Sequence, residues 1–266
     1  MTLPKIPYYH VDSELGAGGT GIVYRGIDLR SGYIVAIKAL YASRAKDSFV
    51  MEKFREEANH YLYLNHPNIT RLVDFIEDKG MYYLVMEYVE GSPLDEYIGR
   101  ITGPMCDEIL IPMFLQILDT IAYLHQSGVL HLDIKPSNIM VLKDRSIKIL
   151  DMGISAKVNE TNVKKCGSPA FMAPEQIKGE RLGYYTDIFA LGVTFFNMAT
   201  CHLPFSGNNH TEIFHKTCND ITPLAMEFYP GINPHFQKII ERAMKKNPCE
   251  RYQTCEEFAM DLMELQ

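Results

Sequence analysis

The chain has 266 residues, 47 % of them hydrophobic and 22 % charged, and its formal net charge is −7 at pH 7. This length is enough to bury a sizeable core, and no repeat or Pro/Ser-rich linker divides the sequence, so we expect a single functional unit. The acidic balance, with a pI near 5.7, argues against nucleic acid as a partner.

Cysteine usage and the N-terminal segment indicate where the chain resides. Its six cysteines show no Cys-x-x-Cys pair and no metal-ligand spacing, so we expect free thiols in a reducing compartment. The start, MTLPKIPYYH, lacks the apolar core of a signal peptide, and no apolar run approaches the ~20 residues that span a bilayer. We therefore expect a cytoplasmic protein, or a domain excised from a longer one.

The first motif in the chain is a glycine-rich segment, Gly16-Ala17-Gly18-Gly19-Thr20-Gly21. Positions without a side chain let backbone N–H groups approach phosphate oxygens closely, although glycines also occur in ordinary hairpin turns. A Rossmann motif needs a helix after the glycines, whereas Gly21 to Asp28 alternates apolar and polar residues as a strand does. A Walker loop needs lysine directly after the last glycine, where Ile22 stands. A glycine-rich hairpin is the nucleotide-binding interpretation that remains.

The next predicted elements are a strand, Tyr33 to Leu40, and a helix, Phe49 to Leu64. The strand carries Val35-Ala36-Ile37-Lys38, and its lysine could reach the phosphates or could be an ordinary solvated lysine. The helix has apolar residues at helical spacing, with Arg55, Glu56 and Glu57 between them.

Beyond this helix the sequence predicts one more apolar strand, Met81 to Val89, and then mostly helices. Ile109 to Ser127 has apolar residues at helical offsets and ends at Gly128, a good C-terminal cap. Ile188 to Ala199 is apolar nearly all round, which predicts a helix buried in a core. Asp187 precedes that helix, where an N-cap residue is favoured.

Two polar loops lie between these helices. The sequence HLDIKPSN starts at His131, and Asp151 follows a short strand-like segment, Ser146 to Leu150. Together they supply a proton-accepting carboxylate, a lysine, an amide and a second carboxylate. Phosphoryl transfer from a magnesium nucleotide needs such groups to orient a hydroxyl, place a cation near the moving phosphoryl group and ligate the metal.

These motifs resemble those of the eukaryotic-like (Hanks-type) serine/threonine protein kinases, with patterns G-x-G-x-x-G-x-V, V-A-I-K, H-R-D-L-x-x-x-N, D-F-G and A-P-E. The resemblance spans about Leu15 to Leu262, and within the family the chain looks most like the bacterial members. Leu132, Met152 and Phe189 stand where the family usually has Arg, Phe and Trp. The resemblance implies an α+β bilobal fold: a small β-rich N-lobe with one regulatory helix (1–88) and a larger, mostly helical C-lobe (89–266).

The resemblance also implies ATP as substrate, Mg²⁺ as cofactor and a role for each motif residue. Asp133 and Lys135 would be catalytic, and Asn138 and Asp151 would hold the metal. Lys38 would bind the α and β phosphates while paired with Glu57, for which Glu56 is the near alternative. Nucleotide-binding positions implied in this way are Leu15, Gly16, Gly18, Gly21, Val23, Ala36, Lys38, Met86, Glu87, Val89, Met140 and Leu150.

The substrate class follows from two further segments of the resemblance. Residues 167–175 (GSPAFMAPE), called the docking segment below, look like the part of a protein kinase that binds peptides. Lys135, two places after Asp133, is typical of serine/threonine kinases, so we expect phosphorylation of Ser and Thr in proteins, including the chain itself. Asp187 would support the catalytic loop, and Arg251 would pair with buried Glu175. A pseudokinase and a small-molecule phosphotransferase are the alternative classes.

Leu132 bears on regulation. In kinases with Arg at this position, a phosphate on the activation loop neutralises the cation and orders the loop. A phosphate on Thr161 or Ser168 would find no such cation here, although Lys157, Lys164 and Lys165 are possible replacements. We therefore expect the active arrangement to depend little on phosphorylation.

Overall fold

A computed structural model of the chain describes residues 3–19, 21–43, 51–52, 54–55, 58–59, 63–150, 156–157 (backbone only) and 167–265. The described residues form two compact units, one ending at Glu90 and one beginning at Gly91. This division lies two residues after the boundary predicted from the sequence.

The first unit is built on a five-stranded antiparallel sheet of order β1-β2-β3-β5-β4. Residues 51–52, 54–55, 58–59 and 63 are helical, within the predicted helix. The strands are β1 Tyr9–Ala17, β2 Gly21–Asp28, β3 Ile34–Leu40, β4 Leu72–Asp78 and β5 Met81–Glu87.

Alternation along β3 divides the apolar residues of this unit between two clusters. Val35 and Ile37 pack with Val11 and Val85 in one buried cluster. Leu40 packs with Phe54 of the helical residues in the other. Because side chains two positions apart share a face, Lys38 lies on the same face of β3 as Leu40.

The second unit is mostly helical, with two small antiparallel sheets of order β6-β8-β9 and β10-β7. Its strands are β6 Ser92–Pro93, β7 Val129–Leu130, β8 Ile139–Val141, β9 Ile147–Ile149 and β10 Ala156–Lys157. Its α-helices are α1 Leu94–Glu96, α2 Asp107–Gln126, α3 Pro174–Lys178, α4 Tyr184–Thr200, α5 His210–Asn219, α6 Ala225–Phe228, α7 Pro234–Ala243 and α8 Cys255–Met263. A π-helical turn, Tyr97–Thr102, and 3₁₀ turns at Pro136–Asn138, Pro169–Phe171 and Pro248–Glu250 complete it.

Four phenylalanines form the centre of the helical core. Phe114 of α2 and Phe195 of α4 meet edge to face with ring centroids 4.8 Å apart, and Phe236 of α7 lies 5.0 Å from Phe195. Phe258 of α8 lies 5.4 Å from Phe114. Each such pair contributes about 0.5–1.5 kcal/mol beyond its buried area, so the four helices are joined at one point.

The α+β fold predicted from the sequence is confirmed, and so are both long helices. The helix predicted at Ile188 to Ala199 begins four residues earlier, at Tyr184. Its N-cap residue is Gly183, which excludes the alternative explanation that Asp187 serves only as the cap of this helix. The five cysteines in the described part of the chain are free thiols.

Helix α2 is long and apolar enough to cross a membrane, whereas the sequence predicted no apolar run approaching the ~20 residues that span a bilayer. Within the protein, 61 % of that stretch is buried, and the helix packs against α4 and α8. It therefore has the surroundings of a core helix.

A buried ion pair fixes the start of α3, as predicted. Arg251 donates from Nη1 and Nη2 to Oε1 and Oε2 of Glu175 at 2.7 and 2.8 Å, and both side chains are almost fully buried. The guanidinium also donates to the main-chain oxygens of Lys245 at 2.7 Å, Tyr185 at 2.8 Å and Lys246 at 3.1 Å. Because all its N–H groups are used, this buried cation is well compensated.

The first prediction concerns this pair. Glu175→Leu should leave the Arg251 guanidinium buried without its carboxylate and lower the free energy of unfolding by about 3–5 kcal/mol. Denaturant unfolding followed by circular dichroism measures this loss. The exposed pair of Arg100 and Glu96, 3.4 Å apart, is the control, because Glu96→Leu should change stability by less than about 1 kcal/mol. Equal losses in the two variants would contradict the prediction.

Candidate active site

The catalytic loop, residues 131–138 between β7 and β8, brings three of the predicted residues together. Oδ2 of Asp133 accepts a hydrogen bond from Asn138 Nδ2 at 3.1 Å and lies 2.9 Å from Lys135 Nζ. Oδ1 of Asp133 accepts from the Ser168 N–H at 2.8 Å. The carboxylate therefore has a fixed orientation beside one cation, as a group that positions a hydroxyl must.

Asp187 holds the main chain of this loop. The side chain is 0 % exposed, and its two oxygens accept from the N–H groups of His131 and Leu132, both at 2.8 Å. His125 Nε2 lies 2.9 Å from Oδ2. Burial alone would raise the pKa of Asp187, but the hydrogen bond to His125 and the N–H donors outweigh it and lower the pKa below the usual value. The contacts confirm the prediction that Asp187 supports the loop.

Leu132, directly before Asp133, has a left-handed backbone with φ of 64°. This conformation is unfavourable for a bulky residue and persists only where the surroundings fix it. The Leu132 side chain is buried in an apolar cluster with Leu130 and Leu182, and Tyr184 packs against them. An apolar contact therefore occupies the position at which the kinase pattern has arginine.

Ser168 is a site residue that the sequence analysis did not recognise as one. Lys135 Nζ donates to its Oγ at 2.6 Å, and its N–H donates to Asp133 as described above. From the sequence, Ser168 was expected to belong to the docking segment and to be a phosphate acceptor, with no contact to Asp133 or Lys135. A contact between residues 33 positions apart leaves no local pattern that could have identified it.

The predicted metal ligands are only partly described. Leu150 N–H donates to the Asn138 main-chain oxygen at 2.9 Å, which ties the end of β9 to the catalytic loop. Asp151 follows Leu150, but Asp151 lies outside the described residues, as do Glu56 and Glu57. The amide nitrogen of Asn138 donates to Asp133, so the amide oxygen is the atom of this residue that suits Mg²⁺.

Lys38 lies in the first unit and is 8 % exposed. It stands on β3 opposite Val23 of β2 and Leu84 of β5. Its Nζ lies 5.9 Å from the centroid of the Phe54 ring. The sequence allowed Lys38 to be an ordinary solvated lysine, and its burial excludes that alternative. An ammonium group taken out of water needs compensating groups.

The reason why glycine is needed differs among the three motif positions, Gly16, Gly18 and Gly21. Gly18 N–H donates to Gly21 O at 2.8 Å and closes the hairpin between β1 and β2. A Cβ on Gly21 would lie 2.0 Å from the Ala39 main-chain oxygen, so the fold itself demands glycine there. No described atom lies within 4 Å of a Cβ built on Gly16, and the nearest to Gly18 is at 4.0 Å. Packing within the described chain does not explain these two glycines, whereas a close ligand would.

The residues predicted to surround the base are divided between the units. Ala36 pairs with Met86 across β3 and β5, and Leu15 is exposed on β1. The Glu87 N–H donates to the Arg71 main-chain oxygen at 3.0 Å, so this N–H is already engaged. Val23, Val89 and these residues belong to the first unit, while Met140 and Leu150 belong to the second.

The protein kinase domain model matches residues 9–263 of this chain. The chain belongs to the protein kinase family. This kinase domain is 35 % identical to the serine/threonine-protein kinase PrkC of Bacillus subtilis over 96 % of the chain and 40 % of PrkC. PknL of Mycobacterium bovis is 30 % identical over 96 % of the chain and 64 % of PknL, and pkn3 of Myxococcus xanthus is 31 % identical over 96 % and 49 %.

The kinase domain thus spans about two fifths of the length of PrkC. Both PknL and pkn3 are also named serine/threonine-protein kinases. The family model covers all the motifs on which the sequence analysis relied, from the glycine-rich hairpin to Arg251.

The second prediction separates the two kinds of glycine. Gly21→Ala should lower the free energy of unfolding by more than about 1 kcal/mol, because its Cβ collides with the β3 main chain. Gly16→Ala should change it by less than about 0.5 kcal/mol and weaken nucleotide binding instead. Thermal unfolding without nucleotide and a fluorescent-nucleotide titration measure the two effects. Unchanged nucleotide affinity in Gly16→Ala would remove the argument for a phosphate at this hairpin.

Proposed function

We propose that this kinase domain transfers the γ-phosphoryl group of ATP to serine and threonine hydroxyls of proteins, its own chain included. The cluster of Asp133, Lys135, Asn138 and Ser168 is the observation that supports it best. Asp133 would accept a hydrogen bond from the attacking hydroxyl and take up its proton. Lys135, 2.9 Å from that carboxylate, would place a positive charge beside the transferred group.

The nucleotide-binding part of the proposal rests on the glycine-rich hairpin, Lys38 and the predicted metal ligands. Unfilled space at Gly16 and Gly18 would admit phosphate oxygens to the hairpin backbone, and buried Lys38 would bind the α and β phosphates when paired with Glu57. Asn138 and Asp151 would hold Mg²⁺, which neutralises charge on the transferring phosphoryl group. The apolar residues among the predicted nucleotide-binding positions, such as Leu15, Val23 and Ala36, would contact the adenine base.

Protein substrates are supported by the docking segment. Its first residues contact the catalytic loop through Ser168, and its end is fixed by the pair of Glu175 and Arg251. A rigid segment beside the catalytic carboxylate is suited to hold a peptide near it. A small-molecule phosphotransferase would not need this segment. A pseudokinase would not need the cluster around Asp133.

Product analysis tests the proposal and is the third prediction. The purified chain, incubated with labelled ATP, magnesium and a generic protein substrate, should yield phosphoserine or phosphothreonine and should leave free sugars and aminoglycosides unlabelled. Phosphotyrosine as the main product would reject the inference drawn from Lys135. Robust labelling of sugars would reject the role of the docking segment.

The fourth prediction separates the catalytic roles. Asp133→Asn should lower kcat by at least about a hundredfold, because the hydroxyl loses its base, while ATP affinity stays nearly unchanged. Asp151→Asn should abolish turnover and weaken the magnesium-dependent part of ATP binding, because the metal loses a ligand. Lys38→Met should abolish turnover because the α and β phosphates lose their cation. Steady-state kinetics and nucleotide titration at varied magnesium distinguish them. Wild-type turnover in all three variants would refute the assignment, and unchanged ATP affinity in Asp151→Asn would refute only the metal role.

The fifth prediction follows from Leu132. The Leu132 side chain has no charge for a phosphate to bind and packs instead with Leu130 and Leu182, so phosphatase-treated enzyme and Thr161→Ala should each retain most of the activity. Initial rates of treated and untreated enzyme measure the effect. A loss of at least about tenfold in both samples, about 1.4 kcal/mol of transition-state stabilisation, would show that loop phosphorylation controls this domain.

A further inference from the structure

Gln176, the residue after the docking segment, hydrogen-bonds to the main chain of both Ala173 and Leu132. It lies on α3 and is 6 % exposed. Its Oε1 accepts from the Ala173 N–H at 2.9 Å, and its Nε2 donates to the Leu132 main-chain oxygen at 3.1 Å. The reversed amide would set its NH₂ against an N–H group and its oxygen against a carbonyl, so these partners determine its orientation.

The first hydrogen bond has an ordinary structural explanation. Ala173 is the N-cap residue of α3, and Gln176 is the third residue of that helix, where Glu or Gln accepts from the N-cap N–H. A glutamate would satisfy this cap equally well. At neutral pH the amide of a glutamine can donate to the Leu132 carbonyl and the carboxylate of a glutamate cannot, so the second bond explains why Gln rather than Glu suits this position.

The second bond reaches the main chain directly before the catalytic carboxylate. The Leu132 carbonyl belongs to the same peptide group as the Asp133 N–H, which donates to His131 Nδ1 at 3.3 Å. Asp187 holds the Leu132 N–H on the other side. Gln176 therefore fixes the last polar group of a residue whose left-handed backbone is unfavourable in isolation.

Gly167, the first residue of the docking segment, covers this bond. A Cβ on Gly167 would lie 3.2 Å from the Leu132 oxygen and 3.6 Å from Gln176 Nε2. Its φ of 129° also favours glycine. The first residue of the docking segment and the residue that follows its end thus both lie at the Leu132 carbonyl.

We propose that Gln176 is a positioning residue for phosphoryl transfer: its amide N–H holds the Leu132 carbonyl and thereby fixes the peptide group of Asp133 relative to the docking segment. This inference rests on the proposed function. Through this hydrogen bond, the end of the docking segment would also determine the direction of the Asp133 carboxylate.

Gln176→Leu tests the proposal, with Gln237→Leu as the matched control. Gln237 also accepts from an alanine N–H, that of Ala225, at 2.8 Å, and it donates to the Pro223 oxygen at 3.4 Å, apart from the catalytic loop. Gln176→Leu should lower kcat by at least about tenfold with the KM for ATP unchanged, whereas Gln237→Leu should lower only the melting temperature. A folded Gln176→Leu enzyme with wild-type kcat would overturn the proposal.

Gln176→Glu gives a second, pH-dependent readout that also decides the matter if Gln176→Leu does not fold. Burial opposite a carbonyl should raise the pKa of the new carboxyl group, and its protonated form can donate to Leu132 as the amide does. The ratio of its kcat to that of the wild type should therefore rise as the pH falls from about 8 to about 6. A ratio independent of pH would overturn the proposal.

A wild-type control keeps this inference distinct from the proposed function. If wild-type enzyme, measured beside Asp133→Asn, transfers no phosphate to protein, the proposed function itself fails. If the wild type is active and both Gln176 variants match it at every pH, only the role of Gln176 fails.

Discussion

A single buried carboxylate, that of Asp187, is the constraint on which the catalytic centre depends. Taking a carboxylate out of water is costly unless hydrogen bonds replace its hydration, and here two main-chain N–H groups and His125 do so. Both N–H groups belong to the catalytic loop. The hydrogen bonds that compensate the buried carboxylate therefore also fix the main-chain conformation of this loop. The same hydrogen bonds lower the pKa of Asp187.

The surroundings of His125 extend this constraint into the helical core. The His125 ring stacks on Tyr184 with centroids 4.5 Å apart, and its Nδ1 lies 3.9 Å from the Sγ of Cys255. These residues belong to α2, α4 and α8, the helices that also meet at the phenylalanine cluster. The loop that carries Asp133 is therefore attached to the buried core of its unit, which suits a preorganised site.

The sequence predicted those parts of the fold and site that depend on local patterns. Strand β2 has the predicted bounds, and α2 begins and ends within two residues of the prediction, because alternation, helical spacing and a terminal glycine are short-range signals. Asp133, Lys135 and Asn138 were predicted together for the same reason, since one short loop carries all three.

The rest depended on contacts between distant residues. Leu132 and Gln176 are 44 positions apart, and His125 and Asp187 are 62 apart, so neither pair has a spacing that marks it in a single sequence. N-capping, the alternative explanation for Asp187, is excluded because the helix begins one turn earlier and the side chain accepts from the N–H groups of another segment. Ser168 was predicted as part of the docking segment and as a phosphate acceptor, without its contact with Lys135, because that contact exists only in the folded chain.

The most direct test of this account is the single-turnover rate of phosphoryl transfer in Asp187→Asn. The substitution keeps the size of the side chain but replaces one acceptor oxygen with an NH₂ group that opposes the loop N–H donors. The account predicts a folded protein with nearly normal ATP affinity and a transfer rate reduced by at least about a hundredfold, about 2.7 kcal/mol. A folded variant that transfers phosphate at the wild-type rate would contradict it.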